Sequence, residues 1–347
     1  MVKKMFVLTA ALSGILLISG CSQKKTVSEV DMTSKSRDVF AMDTFMNMKA
    51  YGSSADIALS EAEKRILQLE EVLSVTRDTS DIWAVDHSEG SEIEVSDDTA
   101  IIIEKAIEMG DRTHGSLDIT LYPVLKEWGF TTGDYKVPDD KTLQGLLREV
   151  DYKKVNIQGN TVKLPKSTEI DLGALAKGYT GDEIMRTMVE NGVSSAIVSL
   201  GGNVQALGTK PDGSKWKVSV RDPFAPDTDM CIIEINDKAV ITSGNYERYF
   251  TADDGTVYWH ILDPEDGYPA DNGLVSVTVI GDCGLDCDAL STALFVAGYD
   301  GAKELLETDP SFELILVTDD RKIYYSEGIA DSFTNISGME AEVISLD

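Results

Sequence analysis

Between residues 196 and 280 the chain offers short β-candidates at 196–200, 216–220, 231–235, 239–242, 258–262 and 275–280, with no helical pattern among them. Helical spacing returns at about 285–296 and 301–307, followed by strand patterns at 313–318 and 322–325. Strands and helices segregated in this way predict an α+β fold with a largely antiparallel sheet flanked by helices. A regular alternation of strand and helix is missing, which argues against the two-lobed fold of solute receptors.

The first half supplies the helices. Ile57, Ile66, Leu69 and Leu73 fall at helical spacing and predict a helix over 54–73 with one buried face. The pattern recurs over 99–109 with Asp97 or Asp98 as its cap, and a shorter helix is expected over 138–147. Residues 155–164 alternate apolar and polar about Gly159-Asn160, which signals a hairpin. A helix opening at the run Asp171-Leu172-Gly173-Ala174-Leu175-Ala176-Lys177-Gly178-Tyr179 should reach about Glu190 and stop at Asn191-Gly192.

Lys3 and Lys4, an apolar run from Met5 to Ile18, and then Ser19-Gly20-Cys21 read as a lipoprotein signal peptide over 1–20, cleaved before a lipidated Cys21. The apolar run is short for a bilayer span, whereas several acyl chains, palmitate among them, on one cysteine suffice for stable anchoring. The expectation is an extracytoplasmic protein held on the cell membrane through Cys21. Residues 22–36 are rich in Ser, Thr and Lys and read as a tether, so 21–36 would be lipidated cysteine plus tether and 37–347 the folded part. The net charge is −29, and loss of Lys3 and Lys4 with the leader makes it −31. A chain this acidic, with no basic block beyond the tether, is not expected to bind nucleic acid. Cys231, Cys283 and Cys287 remain; the last two fit either a disulfide or buried thiols at a helix start, and no Cys/His cluster suggests zinc.

Several constellations carry chemistry. Asp171, with small residues behind it and Lys177 nearly two turns on, suits a phosphate-bearing ligand at a helix start, although a plain helix cap beside a solvated lysine reads the same way. Asp288, Ser291 and Thr292 share one helix face; their hard oxygens favour Mg²⁺ or Ca²⁺, and equally fit ordinary capping near a helix N-terminus. His260 ends a strand before Asp263-Pro264 and Gly267-Tyr268-Pro269, where its imidazole is either a proton acceptor near neutral pH or a satisfied core group. Leu200-Gly201-Gly202-Asn203 offers backbone N–H groups to an anion or makes a tight hairpin. The stretches 243–250 and 115–118 fit loop packing as well as ligand contact.

Taken in order, Met42-Asp43-Thr44, Gly115-Ser116-Leu117-Asp118, the run from Asp171 to Tyr179, Leu200 to Asn203, Ser243 to Phe250, His260 to Pro269 and Asp288 to Phe295 resemble the ApbE-like FAD:protein FMN transferases. The resemblance covers roughly 40–296 and implies an ApbE-like fold. It implies Mg²⁺-dependent transfer of FMN from FAD to a Thr or Ser hydroxyl of an acceptor flavoprotein bearing Asp-x-x-(Ser/Thr)-Gly-Ala-(Ser/Thr), with AMP released. By position the metal would be held by the main-chain carbonyl of Ala174 and by Asp288 and Thr292, with Ser291 close by. FAD would be met by Met42, Thr76, Ser116, Leu117, Asp118, Asp171, Lys177 and Leu262, and His260 falls where the family has its base, with Lys177 beside the phosphates. The family usually has Gly where this chain has Asp43. Two other readings are a Mg²⁺-dependent FAD pyrophosphatase giving FMN and AMP, and a lipid-anchored flavin-binding protein.

Overall fold

The segregation of strands from helices is realised as a nine-stranded sheet with helices packed on one face. The computed structural model describes residues 33–346; the leader, Cys21 and most of the tether lie outside the described residues. In chain order the elements are β1 (Ser34–Ala41), β2 (Thr44–Tyr51), α1 (Ala55–Leu73), α2 (Asp81–Asp86), β3 (Ile93–Glu94), α3 (Asp97–Arg112), α4 (Tyr122–Trp128), α5 (Asp140–Leu147), β4 (Asn156–Gln158), β5 (Thr161–Lys163) and α6 (Gly173–Glu190). There follow β6 (Ala196–Leu200), β7 (Asn203–Leu207), β8 (Trp216–Asp222), β9 (Ala225–Ile235), β10 (Lys238–Gly244), β11 (Tyr249–Thr251), β12 (Val257–Trp259), β13 (Leu274–Gly281), α7 (Gly284–Thr308), β14 (Phe312–Thr318), β15 (Lys322–Tyr325), β16 (Phe333–Asn335) and β17 (Glu340–Val343). The main sheet runs β1-β2-β6-β7-β10-β13-β14-β15-β17. Its neighbours are antiparallel except for the β15–β17 pair at one edge.

On one face, Leu172, Leu175 and Tyr179 of the α6 region and Leu290, Leu294 and Phe295 of α7 join Ile241, Val277, Val279 and Leu316 in a single core. On the other, Trp216, Val218 and Ile233 of the small β16-β9-β8 sheet cover Val240, Ile280, Ile315 and Val317. β13 is therefore covered from both sides, and every one of its residues, Leu274 to Gly281, is buried. Accordingly most of its residues are apolar, with Ser276 and Thr278 the two polar ones.

Three sequence expectations shift. Ile57 is 62% exposed, because the buried stripe of α1 runs through Ala58, Ala62, Ile66, Leu69 and Leu73 and Ile57 sits one residue off that phase. Ser96, not Asp97 or Asp98, caps α3 by accepting the Thr99 N–H, which frees Asp98 to pair with Arg65 and take the Tyr179 hydroxyl. β1 starts at Ser34, ahead of the expected start at Arg37, because Ser34 to Ser36 pair with Lys49 to Tyr51 through main-chain bonds that need no apolar side chains. The two helices expected after residue 285 are present as the two segments of α7, separated at Gly298, whose φ of 73° and ψ of −175° are not helical, and the Asn272 amide donates to the carbonyls of Phe295 and Val296 at the break. The cysteines beyond Cys21 are free thiols, and burial pushes Cys231 and Cys283 up to about 12.

Candidate functional site

The start of α6 is held from both sides before any ligand arrives. Asp171 Oδ1 accepts the Gly173 N–H at 2.9 Å, so the aspartate caps the first turn from just outside the helix. Its own N–H donates to the Ile119 carbonyl at 2.9 Å, which brings the 115–119 segment alongside. The Ile170 N–H donates to Asp86 Oδ1 at 2.8 Å. Burial raises the Asp171 carboxyl above its usual range, against the Gly173 N–H and the charges of Lys177 and Arg248.

Where α6 crosses α7, glycine lets the backbones meet. A Cβ on Gly178 would stand 2.6 Å from the Asp288 Cβ and closer still to the Gly284 carbonyl. That contact lets the Gly178 N–H donate to Asp288 Oδ2 at 2.7 Å, while the Asn203 amide donates to Oδ1 at 2.9 Å. In a regular helix the Gly178 N–H points at the Ala174 carbonyl; here it also serves Asp288. Gln205 of β7 donates to the Gly178 carbonyl at 3.0 Å, and Asp182 of α6 caps α7 by accepting from Gly284 N at 2.7 Å and Leu285 N at 2.9 Å. Burial holds the Asp288 carboxyl above the ordinary range, against the nearby Lys177 charge and these donors. Ser243 of β10 hydrogen-bonds to Ser291 Oγ at 2.8 Å and to Thr292 Oγ1 at 3.3 Å. Ser291 and Thr292 thus meet at Ser243, and the Ser291 hydroxyl also reaches back to the Asp288 main-chain carbonyl at 2.9 Å.

That corner fits a hard dication. Among the described residues no group of three or more His, Cys, Asp or Glu converges. Asp288 offers a carboxylate and Ser291 and Thr292 hydroxyls, the hard oxygen types that Mg²⁺ takes.

His260 lies just past β12 rather than inside a strand through 262, because Ile261 and Leu262 turn back through the Leu262–Pro269 bridge. Beneath it Trp128 is fully buried and donates its indole N–H to the Gly267 carbonyl at 2.8 Å, closing the 263–268 turn onto a small aromatic core. The imidazole Nδ1 lies 3.2 Å from the Arg248 carbonyl. A carbonyl only accepts, so Nδ1 carries the proton and Nε2 keeps its lone pair. Burial, then the Arg248 and Lys177 charges, push this imidazole down to about 4, leaving it neutral at pH 7. The Lys177 ammonium lies 3.5 Å from the Gly173 carbonyl at the α6 start, and its charge favours the ionised forms of Asp171 and Asp288 while opposing protonation of His260.

The remaining candidates divide. Met42 is half-buried in the β1–β2 turn, with its Sδ 3.6 Å from Thr180 Oγ1 of α6. Ser116 and Leu117 lie on the segment tied to Asp171, Leu117 buried in the core. Asp118 is spent on the fold: Oδ1 accepts the Thr120 N–H at 2.8 Å and Oδ2 the Tyr152 N–H at 3.0 Å. Leu262 is buried against Trp128. Thr76 is not brought to the others; its hydrogen bonds are to Ser74, although neighbouring Arg77 reaches Glu70, which holds the Met42 N–H. Sequence reasoning missed Asn203 as an Asp288 partner, Gln205 and Asp182. It named the stretch holding Ser243 without its contact. The paired glycines at 201 and 202 were the nearest signal; they make the β6–β7 turn with φ 62° and 105° and so deliver Asn203.

Residues 42–316 match the model of the ApbE family. The chain is 31% identical to the FAD:protein FMN transferase of Treponema pallidum, covering 92% of this chain and 94% of that one. It is 28% identical to the FAD:protein FMN transferase of Escherichia coli K12, over 88% and 90% of the two chains. The solved ApbE protein of Thermotoga maritima superposes with a TM-score of 0.81 at 30% identity, covering 86% of this chain and 99% of that one. The flavin transferase ApbE of Vibrio cholerae gives 0.77 at 26% identity, over 86% and 100%.

Proposed function

The chain belongs to the ApbE family and is an enzyme that moves FMN from FAD onto a protein, and we propose that it does so in the cleft between the α6–α7 crossing and His260. The observation that carries this placement is the first turns of α6, where Gly173 N–H donates to Asp171 and Gly178 N–H, one residue past Lys177, donates to Asp288 Oδ2 at 2.7 Å. The acceptor is a flavoprotein with an Asp-x-x-(Ser/Thr)-Gly-Ala-(Ser/Thr) sequence.

Mg²⁺ would be held by the Ala174 carbonyl, Asp288 and Thr292 with Ser291 alongside, and bound there supplies Lewis-acid neutralisation of diphosphate charge. Lys177 donates to a diphosphate oxygen and stabilises the charge that passes to departing AMP. His260 Nε2 takes the proton of the acceptor hydroxyl as its oxygen forms a bond to the FMN phosphorus and the bond from that phosphorus to the AMP oxygen breaks. An imidazole near 4 in the ligand-free site is a weak base. Burial is the main cause of that depression and the Arg248 and Lys177 charges add to it; an incoming diphosphate offsets the charges and to that extent strengthens the base.

Incubation with FAD, Mg²⁺ and an acceptor fragment carrying that sequence should give a flavin-fluorescent band on a denaturing gel. Asp288→Ala should lower the rate at least about 10³-fold, the several kcal/mol expected for loss of a metal-holding carboxylate. Release of FMN and AMP without labelling would instead identify a pyrophosphatase, and FAD recovered intact a binding protein. Extracytoplasmic placement through Cys21 belongs to the same proposal, and Cys21→Ser should move the protein from the membrane fraction to the soluble one.

A further inference from the structure

His260 directly follows the paired β11–β12 hairpin, and one backbone group meets both its main chain and its ring. The Arg248 carbonyl accepts the His260 main-chain N–H at 3.0 Å and faces Nδ1 at 3.2 Å, so whatever displaces that carbonyl displaces the ring. The other end of the same residue is also held. Arg248 Nη2 donates to Asp43 Oδ2 at 3.0 Å, across 205 residues of chain. Asp43 stands in the two-residue turn between β1 and β2, where Met42 and Asp43 have φ of 50° and 58°. Aspartate is among the few non-glycine residues that tolerate this left-handed region. The turn is braced from α1, since the Met42 N–H donates to Glu70 Oε1 at 2.8 Å and Arg77 donates to Glu70 Oε2 at 2.7 Å. Asp43 and Arg248 line a cavity of about 280 Å³ with Phe130, Tyr135, Glu247 and Tyr249. Phe130 presents its ring to His260 at 6.4 Å.

A pair as exposed as this, 49% for Arg248 and 81% for Asp43, adds little to stability. Its consequence is geometric. We infer that Asp43 and Arg248 are positioning residues for the transfer: their ion pair pins the Arg248 side chain beside the cavity and so fixes the carbonyl that holds His260 with Nδ1 protonated and Nε2 free. The inference rests on His260 being the base. The charges that face the ring come from two elements, Lys177 of α6 and Arg248 of the β10–β11 loop, and Asp43 offsets the second. Removing the Asp43 carboxylate and removing the Arg248 guanidinium should therefore move the His260 titration in opposite directions, which mere loosening of the loop would not do.

The chain has three histidines, so ¹⁵N-histidine NMR resolves the ring directly. The native protein should show His260 as the Nδ1–H tautomer. Asp43→Asn, which keeps the turn's conformation, should shift its titration to lower pH and Arg248→Gln to higher pH, with Arg248→Lys close to native. Both Asp43→Asn and Arg248→Gln should lower kcat roughly 3–10-fold with KM for FAD within about twofold, the pattern of a misplaced catalytic group. An Nε2–H tautomer in the native protein, or a ring whose titration moves in neither variant, overturns the inference. Because the spectra need no turnover, opposite shifts in a protein that transfers no FMN would support the pair while removing the base assignment. Normal transfer with an unmoved ring would remove the pair alone.

Discussion

At the α6–α7 crossing the polar groups of the site are a main-chain amide, a buried carboxylate and amide side chains of a central strand, which satisfy one another and are packed so closely that glycine is required. Around His260 they sit on loops, over an aromatic cluster and beside a solvent-exposed ion pair. The first end is built by the same contacts that hold the fold together, whereas the second is attached to the fold by a few hydrogen bonds. Binding the invariant part of a substrate calls for rigid, preorganised donors. Admitting a protein side chain calls for an accessible rim, and loops supply that.

Substitutions at the two ends should separate accordingly. His260→Ala should lower kcat for acceptor labelling by roughly 10²–10⁴-fold, the usual contribution of a general base, while the thermal midpoint and FAD affinity stay close to native. Equal losses in stability and rate would erase the distinction between the ends. Gly178→Ala should instead lower both. The added methyl must displace Asp288 or α7, an overpacking cost of about 1–3 kcal/mol that denaturant titration would read, together with impaired transfer.

The support beneath the α6 start should show as pH dependence. Burial, with Glu169 and Asp171 nearby, raises Asp86 from 3.8 to about 8, so the folded state favours its protonated form. A raised carboxyl contributes stability fully below its unfolded value near 4 and loses it as pH climbs through 8. Urea midpoints should accordingly fall between pH 5 and pH 8, and Asp86→Asn should flatten that fall; an unchanged slope would mean the carboxyl is not strained there. The smallest effect is expected at Thr76, whose contacts are local: Thr76→Ala should leave KM for FAD within about twofold, inside the range of surface substitutions.

The crossing was partly legible and the rim mostly was not. Asp288, Ser291 and Thr292 announce themselves because helical spacing puts i, i+3 and i+4 on one face whatever packs against it. Asp171 and Lys177 were readable because capping and reach along a helix are local matters. Asn203 and Ser243 acquire their roles from partners 85 and 48 residues away. The Met42-Asp43-Thr44 segment was marked only by the family resemblance; its turn was not readable from local chemistry, since neither Met42 nor Asp43 is the glycine that such a turn ordinarily uses.

What the sequence determined by itself was local: the helical stretches, the central strands, the segregation of the two and the order of motifs that marks the family. Each follows from periodicity, capping and turn chemistry within about a dozen residues. Tertiary structure alone decided that a glycine amide of α6 is handed to an aspartate of α7, that a strand amide completes the same carboxylate, and that an arginine carbonyl chooses the tautomer of His260. Those are long-range satisfactions of buried polar groups, and no short-range pattern records which distant partner will satisfy them.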